Sequence, residues 1–173
     1  SRPMLRFRSL ASGSSGNATL VEAFDGLHRT RVLIDCGLGL RQLNERLARA
    51  GVAAPELDAI FITHEHGDHV GCAPALSARL GIPLWMSAGT HAALPRPDPK
   101  LNVHFASDGQ SVELGGLRIQ PFAVPHDTRE PLQLSCTDGD RRLGILTDLG
   151  HVTAHVLEQL AGCHALLLES NHC

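Results

Sequence analysis

THEHGDHVG, residues 63–71, packs three histidines (His64, His66, His69) and two acids (Glu65, Asp68) into six consecutive positions. Imidazoles and carboxylates crowded together each need a partner once they leave water, so the cluster is costly to fold without a use. Upstream, Ala59–Thr63 (AIFIT) reads as a short buried strand. Downstream, the pattern predicts a helix from about Val70 to Leu80, closed by Gly81 and Pro83. The cluster thus falls where a buried strand ends, and loops at such ends are where a rigid scaffold presents chemistry. In an extended segment residues i and i+2 share a side, so His64 and His66 can grip one ion. Asp68 and His69, adjacent at the helix start, point elsewhere and can grip a second. Two ions fed from one loop would lie about 4 Å apart, the separation of two-metal hydrolases. The zincin pattern HExxH fails here, because Asp68 stands where its second histidine belongs.

Other strand ends repeat the theme. VLID, FAVPH and GILTD finish in Asp35, His126 and Asp148. His126 can complete a three-nitrogen set with His64 and His66, and Asp148 is an oxygen ligand able to bridge both ions. The remaining histidines (His28, His91, His104, His151, His155, His164) lack partners at ligand spacing and read as surface or structural residues.

Around this centre, Leu5–Leu10, Thr19–Phe24 and Arg31–Cys36 read as strands. SGSSGN (12–17) joins the first two, and Asp25-Gly26 lies between the second and third. SGSSGN is either a flexible turn or a set of backbone N–H groups and hydroxyls near a substrate. LGLRQLNERLARAG (38–51) carries leucines at 40, 43 and 47 and stops at Gly51, the mark of an amphipathic helix. Its Arg41, Arg46 and Arg49 read as a solvated face. Ile82–Met86 is a further strand, and the prolines of LPRPDPK (94–100) make a loop. Two hairpins follow, SVEL/LRIQPFAV around Gly115-Gly116 and LQLSCT/RRLGILT around residues 138–140. A helix near Thr153–Ala161 and a strand at Ala165–Leu168 close the pattern. Mixed strands with interleaved helices predict a layered α/β sandwich in one domain, residues 1–173.

Composition narrows the functions. The formal net charge is −3 and aromatics make up 3% of residues, so neither a global basic field nor a base-stacking platform is present. Five widely spaced cysteines without a CxxC pair point to reduced thiols, and the expected compartment is cytoplasmic. Neither a signal peptide nor an apolar run of membrane-spanning length is seen. No phosphate-binding glycine motif follows a strand, so a nucleotide cofactor is not indicated.

The cluster resembles the HxHxDH signature of the metallo-β-lactamase superfamily. SLASGSSGN, LIDCGL, THEHGDHVG, PHDTREP, ILTDLG and LESNH, in that order, resemble its YycJ/WalJ (VicX)-type branch over essentially the whole chain. The resemblance implies a four-layer αββα sandwich with mixed sheets and a metal-dependent hydrolase. It implies a phosphodiesterase or nuclease that uses a metal-activated hydroxide on a phosphodiester such as DNA. Carried over residue by residue, His64, His66 and His126 hold the first ion. Asp68 and His69 hold the second, with Asp148 bridging and Asp68 also catalytic. Asp35 orients a histidine, and His172 is a catalytic proton donor to the leaving group. Zn²⁺ or Mn²⁺, one or two ions, suits this mixed nitrogen and oxygen set, with iron a third choice. Relatives of this type carry a further histidine beyond the point matching Cys173, so the C-terminal part of the fold is expected to be missing. The competing functions are thioester or lactam hydrolysis on the same ions, and a non-catalytic metal-binding regulatory domain.

Overall fold

The computed structural model describes residues 3–95, 98–123 and 132–147, together with the backbone course of 165–169. Two sheets face each other. The first has six strands in the order β1 (Met4–Ala11), β2 (Ala18–Phe24), β3 (Arg29–Ile34), β4 (Ala59–Phe61), β5 (Leu84–Met86) and β6 (Val103–Phe105). β1 to β3 pair antiparallel, and β3 to β6 pair parallel. In the second sheet β7 (Val112–Leu114), β8 (Leu117–Ala123), β9 (Leu132–Thr137) and β10 (Arg142–Thr147) form an antiparallel meander, and β11 (Ala165–Glu169) adds parallel to β10.

Both faces of the first sheet are covered, so the alternation of a strand buries side chains on either side of it: β2 is buried at six of its seven positions and β4 at all three. Leu20, Leu33 and Ile60 point to one face, where Leu43 and Leu47 of α1 (Leu40–Arg49) and Leu76 cover them. Val21, Val32, Ile34, Ala59 and Phe61 point to the other, against Leu117, Ile119, Leu134 and Ile145 of the second sheet. The described residues therefore make three layers, helix on sheet on sheet. The helix expected near Thr153–Ala161, which would supply the fourth, lies outside the described residues.

Two expectations change. The helix foreseen over Val70–Leu80 is two helices, α2 (Gly67–Val70) and α3 (Ala73–Leu80). The break has a cause: Gly71 has φ +44, and a Cβ there would meet the Cys36 carbonyl oxygen at 2.1 Å. The chain must leave the helical path to pass this close to the β3 loop, and Pro74 starts α3 afresh. In addition, α4 (Ala88–Ala93) and β6 stand where no element was expected, α4 capped by the Ser87 side chain accepting from the Thr90 N–H. No helix among the described residues is long and apolar enough to cross a membrane.

Candidate metal centre

Three loops meet at the ends of β1, β3 and β4. Their backbones are stitched directly: the Asn17 N–H donates to the Asp68 carbonyl at 2.7 Å, the Cys36 N–H to the His69 carbonyl at 2.7 Å, and the Gly37 N–H to the Asn17 carbonyl at 2.8 Å. Only a residue without a side chain fits at position 37, where a Cβ would lie 1.7 Å from the Asp68 carbonyl oxygen.

Asp35 is the hub. It is fully buried and is the one described non-glycine residue with positive φ, at 60°. That left-handed conformation is unfavourable for an L-residue and persists only where the surroundings hold it. Here Oδ1 accepts the Thr63 N–H at 2.8 Å, while Oδ2 lies 2.7 Å from Thr63 Oγ1 and 2.7 Å from His69 Nδ1. Thr63 Oγ1 in turn lies 2.8 Å from His64 Nδ1. Asp35 thus touches His69 directly and reaches His64 through Thr63.

His69 is fully buried, and its Nε2 faces Asp68 Oδ2 at 3.7 Å. This is long for a hydrogen bond and close to the ~3.4 Å that two ligands keep when each sits ~2.0–2.1 Å from one tetrahedral ion. The His64 and His69 rings have centroids 4.5 Å apart, and those of His64 and His66 are 6.4 Å apart. The His69 ring thus lies beside that of His64, with Asp68 on the Nε2 side of His69. His66 stands at the N-cap position of α2 with half of its side chain exposed, and its Nε2 is 3.3 Å from Glu65 Oε1. Asp68 lies in the first turn of α2, and no side chain caps that helix, so a capping role does not explain it.

Among the described residues no three His, Cys, Asp or Glu side chains are close enough together to hold an ion. Each expected set is two-thirds present: His64 and His66 without His126, Asp68 and His69 without Asp148. His126, Asp148 and His172 lie outside the described residues. The donor chemistry of what is described fits a divalent cation, since a carboxylate fixes the Nδ1 side of an imidazole whose Nε2 faces a second carboxylate.

Two residues escaped the sequence reading. Asn17 is fully buried, and its Nδ2 lies within 3.0 Å of the Gly13 carbonyl oxygen, 3.2 Å of the Asp68 carbonyl and 3.2 Å of Asp68 Oδ2. The last residue of SGSSGN thus braces Asp68. Thr63 read as the final residue of a strand. Nothing in one sequence flags either side chain, because both act through residues 28 to 51 positions away. Beside the hub, Cys36 and Cys72 place their sulfurs 3.4 Å apart. The contact pushes the buried Cys36 thiol up, burial adding to it, and holds the half-buried Cys72 thiol below the ordinary cysteine range.

The family model described as beta-lactamase superfamily domain matches residues 30–172. Exodeoxyribonuclease YycJ of Bacillus anthracis is 29% identical over 171 residues, which is 97% of this chain and 63% of that protein. Exodeoxyribonuclease WalJ of Streptococcus pneumoniae serotype 2 is 30% identical over 172 residues, 96% of this chain and 62% of that protein. The chain thus spans a little under two thirds of the length of these relatives. Among solved structures, the Rm3 metallo-beta-lactamase superposes with a TM-score of 0.69 at 20% identity, covering 94% of this chain and 74% of that one. The α/β architecture with two mixed sheets is therefore the metallo-β-lactamase fold.

Proposed function

Because the chain belongs to the beta-lactamase superfamily domain family, we propose that its strand-end cluster is the metal centre of a hydrolase acting on phosphodiesters, with DNA as the substrate class. The observation that carries this reading is the buried Asp35, held in a left-handed conformation with Oδ2 on His69 Nδ1, while His69 Nε2 faces Asp68. A fold spends strain and a buried charge in this way where a site must be rigid. The exodeoxyribonuclease relatives, similar over nearly all of this chain, favour phosphorus over carbonyl chemistry.

In this reading His64, His66 and His126 hold one ion, Asp68 and His69 hold the other, and Asp148 bridges the two. Zn²⁺ and Mn²⁺ both suit the donors, and iron is the third choice. Divalent ions held there supply Lewis acidity and a water acidified towards neutral pH. The chain's own part is to fix the ligands: Asp35 orients His69, Asn17 braces Asp68, and His172 donates a proton to the leaving group. Residues 1–173 act as one domain.

The test compares turnover of end-labelled DNA and bis-p-nitrophenyl phosphate with that of a thioester and a chromogenic lactam, in protein loaded with zinc or manganese. Asp68→Ala should lose phosphodiester turnover at least a hundredfold while costing only ~1 kcal/mol, the one Asn17 hydrogen bond to its carboxylate. Turnover of the thioester or lactam alone would move the assignment to those substrates. Metal binding with no turnover of any of them would make the domain a regulatory one.

A further inference from the structure

Hydrogen positions at the hub follow from counting protons. Asp35 Oδ2 and Thr63 Oγ1 are 2.7 Å apart, and two oxygens at that distance need a proton between them. Asp35 takes the acceptor role towards Thr63, from its N–H at Oδ1 and from its hydroxyl at Oδ2, so the proton is the Thr63 hydroxyl's. A hydroxyl has one proton. With it committed to Asp35, the 2.8 Å contact between Thr63 Oγ1 and His64 Nδ1 requires the imidazole to donate. The His69 Nδ1 contact with Asp35 Oδ2, at 2.7 Å, likewise requires a proton on Nδ1. The reverse arrangement, with Thr63 donating to His64, leaves two acceptors facing each other at 2.7 Å. Thr63 and His64 are buried, and Asp35 and His69 are fully so, which keeps water from rearranging the network.

We propose that Thr63 is a positioning residue. Its single hydroxyl proton hands the charge of Asp35 on to His64, so that one carboxylate holds both His64 and His69 as the Nδ1–H tautomer and turns the Nε2 lone pair of each towards a divalent cation. The proposal rests on the metal-centre reading above and deepens it, because His64 and His69 belong to different ligand sets. The two ions are then tied through one buried Asp–Thr pair. His66 has no place in the relay: it is half exposed, and its ring contacts Glu65 instead.

Long-range ¹H–¹⁵N spectra of histidine side chains, on the 173-residue chain freed of metal by chelator and held at about pH 8.5, where imidazoles are neutral, read the tautomers directly. The wild type should show His64 and His69 as Nδ1–H. Thr63→Val, which keeps the shape and removes the hydroxyl, should move His64 to the Nε2–H form and leave His69 unchanged. Thr63→Ser should restore the wild-type spectrum. Zinc titration of the same proteins should show one site weakened ten- to a hundredfold in Thr63→Val, the range for loss of a group that orients a ligand, and recovered in Thr63→Ser. A wild-type His64 in the Nε2–H form would overturn the proposal, and so would a His64 spectrum indifferent to Thr63→Val. If the valine variant does not fold, the wild-type and serine spectra still decide. Tautomers as expected in a protein that binds neither zinc nor manganese would uphold the relay and bring down the metal-dependent reading.

Discussion

Adding one methyl group at position 37 tests the clasp that holds the cluster together. In Gly37→Ala the new Cβ would lie 1.7 Å from the Asp68 carbonyl oxygen and 2.8 Å from the Asn17 nitrogen. Real Cβ contacts essentially never fall below 3.0 Å, so the two loops must part by about 1.3 Å. Both neighbours are backbone and cannot rotate out of the way. Three hydrogen bonds of 2.7–2.8 Å cross this junction, Asn17 to Asp68, Cys36 to His69 and Gly37 to Asn17. A separation of that size breaks or badly bends them, and each is worth roughly 1 kcal/mol net. The expected loss is therefore about 2–4 kcal/mol, the upper part of the range for overpacking a well-filled site. Urea unfolding should show a lower midpoint at unchanged slope. Because the displaced segment, α2, carries Asp68 and His69, zinc affinity should also fall at least tenfold. Gly39→Ser is the control: a Cβ there meets nothing within 4 Å, and the residue sits at the N-cap of α1, where serine is favoured. It should stay within about 0.5 kcal/mol of the wild type. A Gly37→Ala protein as stable as that control would refute the close-approach argument.

Two further predictions follow from the same geometry. Protein purified without chelator should carry zinc, manganese or iron by elemental analysis, and His64→Ala combined with His66→Ala should remove the ion those residues share; unchanged metal content would sink the ligand assignment. Alkylation of Cys72 should reach its half-maximal rate at a pH below that of an ordinary cysteine, because the 3.4 Å contact with the Cys36 sulfur favours its thiolate. Cys36→Ala removes that contact, so the midpoint should move to higher pH and the rate near neutral pH should drop; a midpoint that stays or falls would contradict it.

Much of the fold was legible because β2, β3 and β4 are buried on both faces. A strand covered on both sides loses its alternation and reads as a continuous apolar run, as in AIFIT and VLI. α1 showed itself through Leu40, Leu43 and Leu47, of which Leu43 and Leu47 are buried. What stayed hidden was short or set by tertiary contact. β6 has three residues, and its burial is only partial, so it has too little pattern to see. The α2–α3 break depends on Gly71 meeting the Cys36 carbonyl, a contact across 35 positions that no local propensity encodes.

The site divides in the same way, and the division has a physical reason. Residues able to bind a cation announce themselves, because His and Asp at HxHxDH spacing are rare in combination and cost energy to bury. Residues that orient them do not, since threonine at a strand end and asparagine in a glycine–serine loop are ordinary there. Yet the orienting residues are among the most buried polar groups of the chain, Asn17 and Asp35 at 0% exposure and Thr63 at 1%. A buried carboxylate with positive φ is unfavourable on two counts, charge and backbone. Three donors offset the first, the Thr63 N–H, the Thr63 hydroxyl and His69 Nδ1–H. The backbone bond from the Asp35 N–H to the Phe61 carbonyl at 2.8 Å and the Cys36 bond to His69 anchor the residue on either side against the second. Every one of those contacts reaches the segment running from β4 into the HGDHVG loop. The strain at Asp35 is therefore held by the cluster it serves, and a change at either end of this reciprocal arrangement should loosen both.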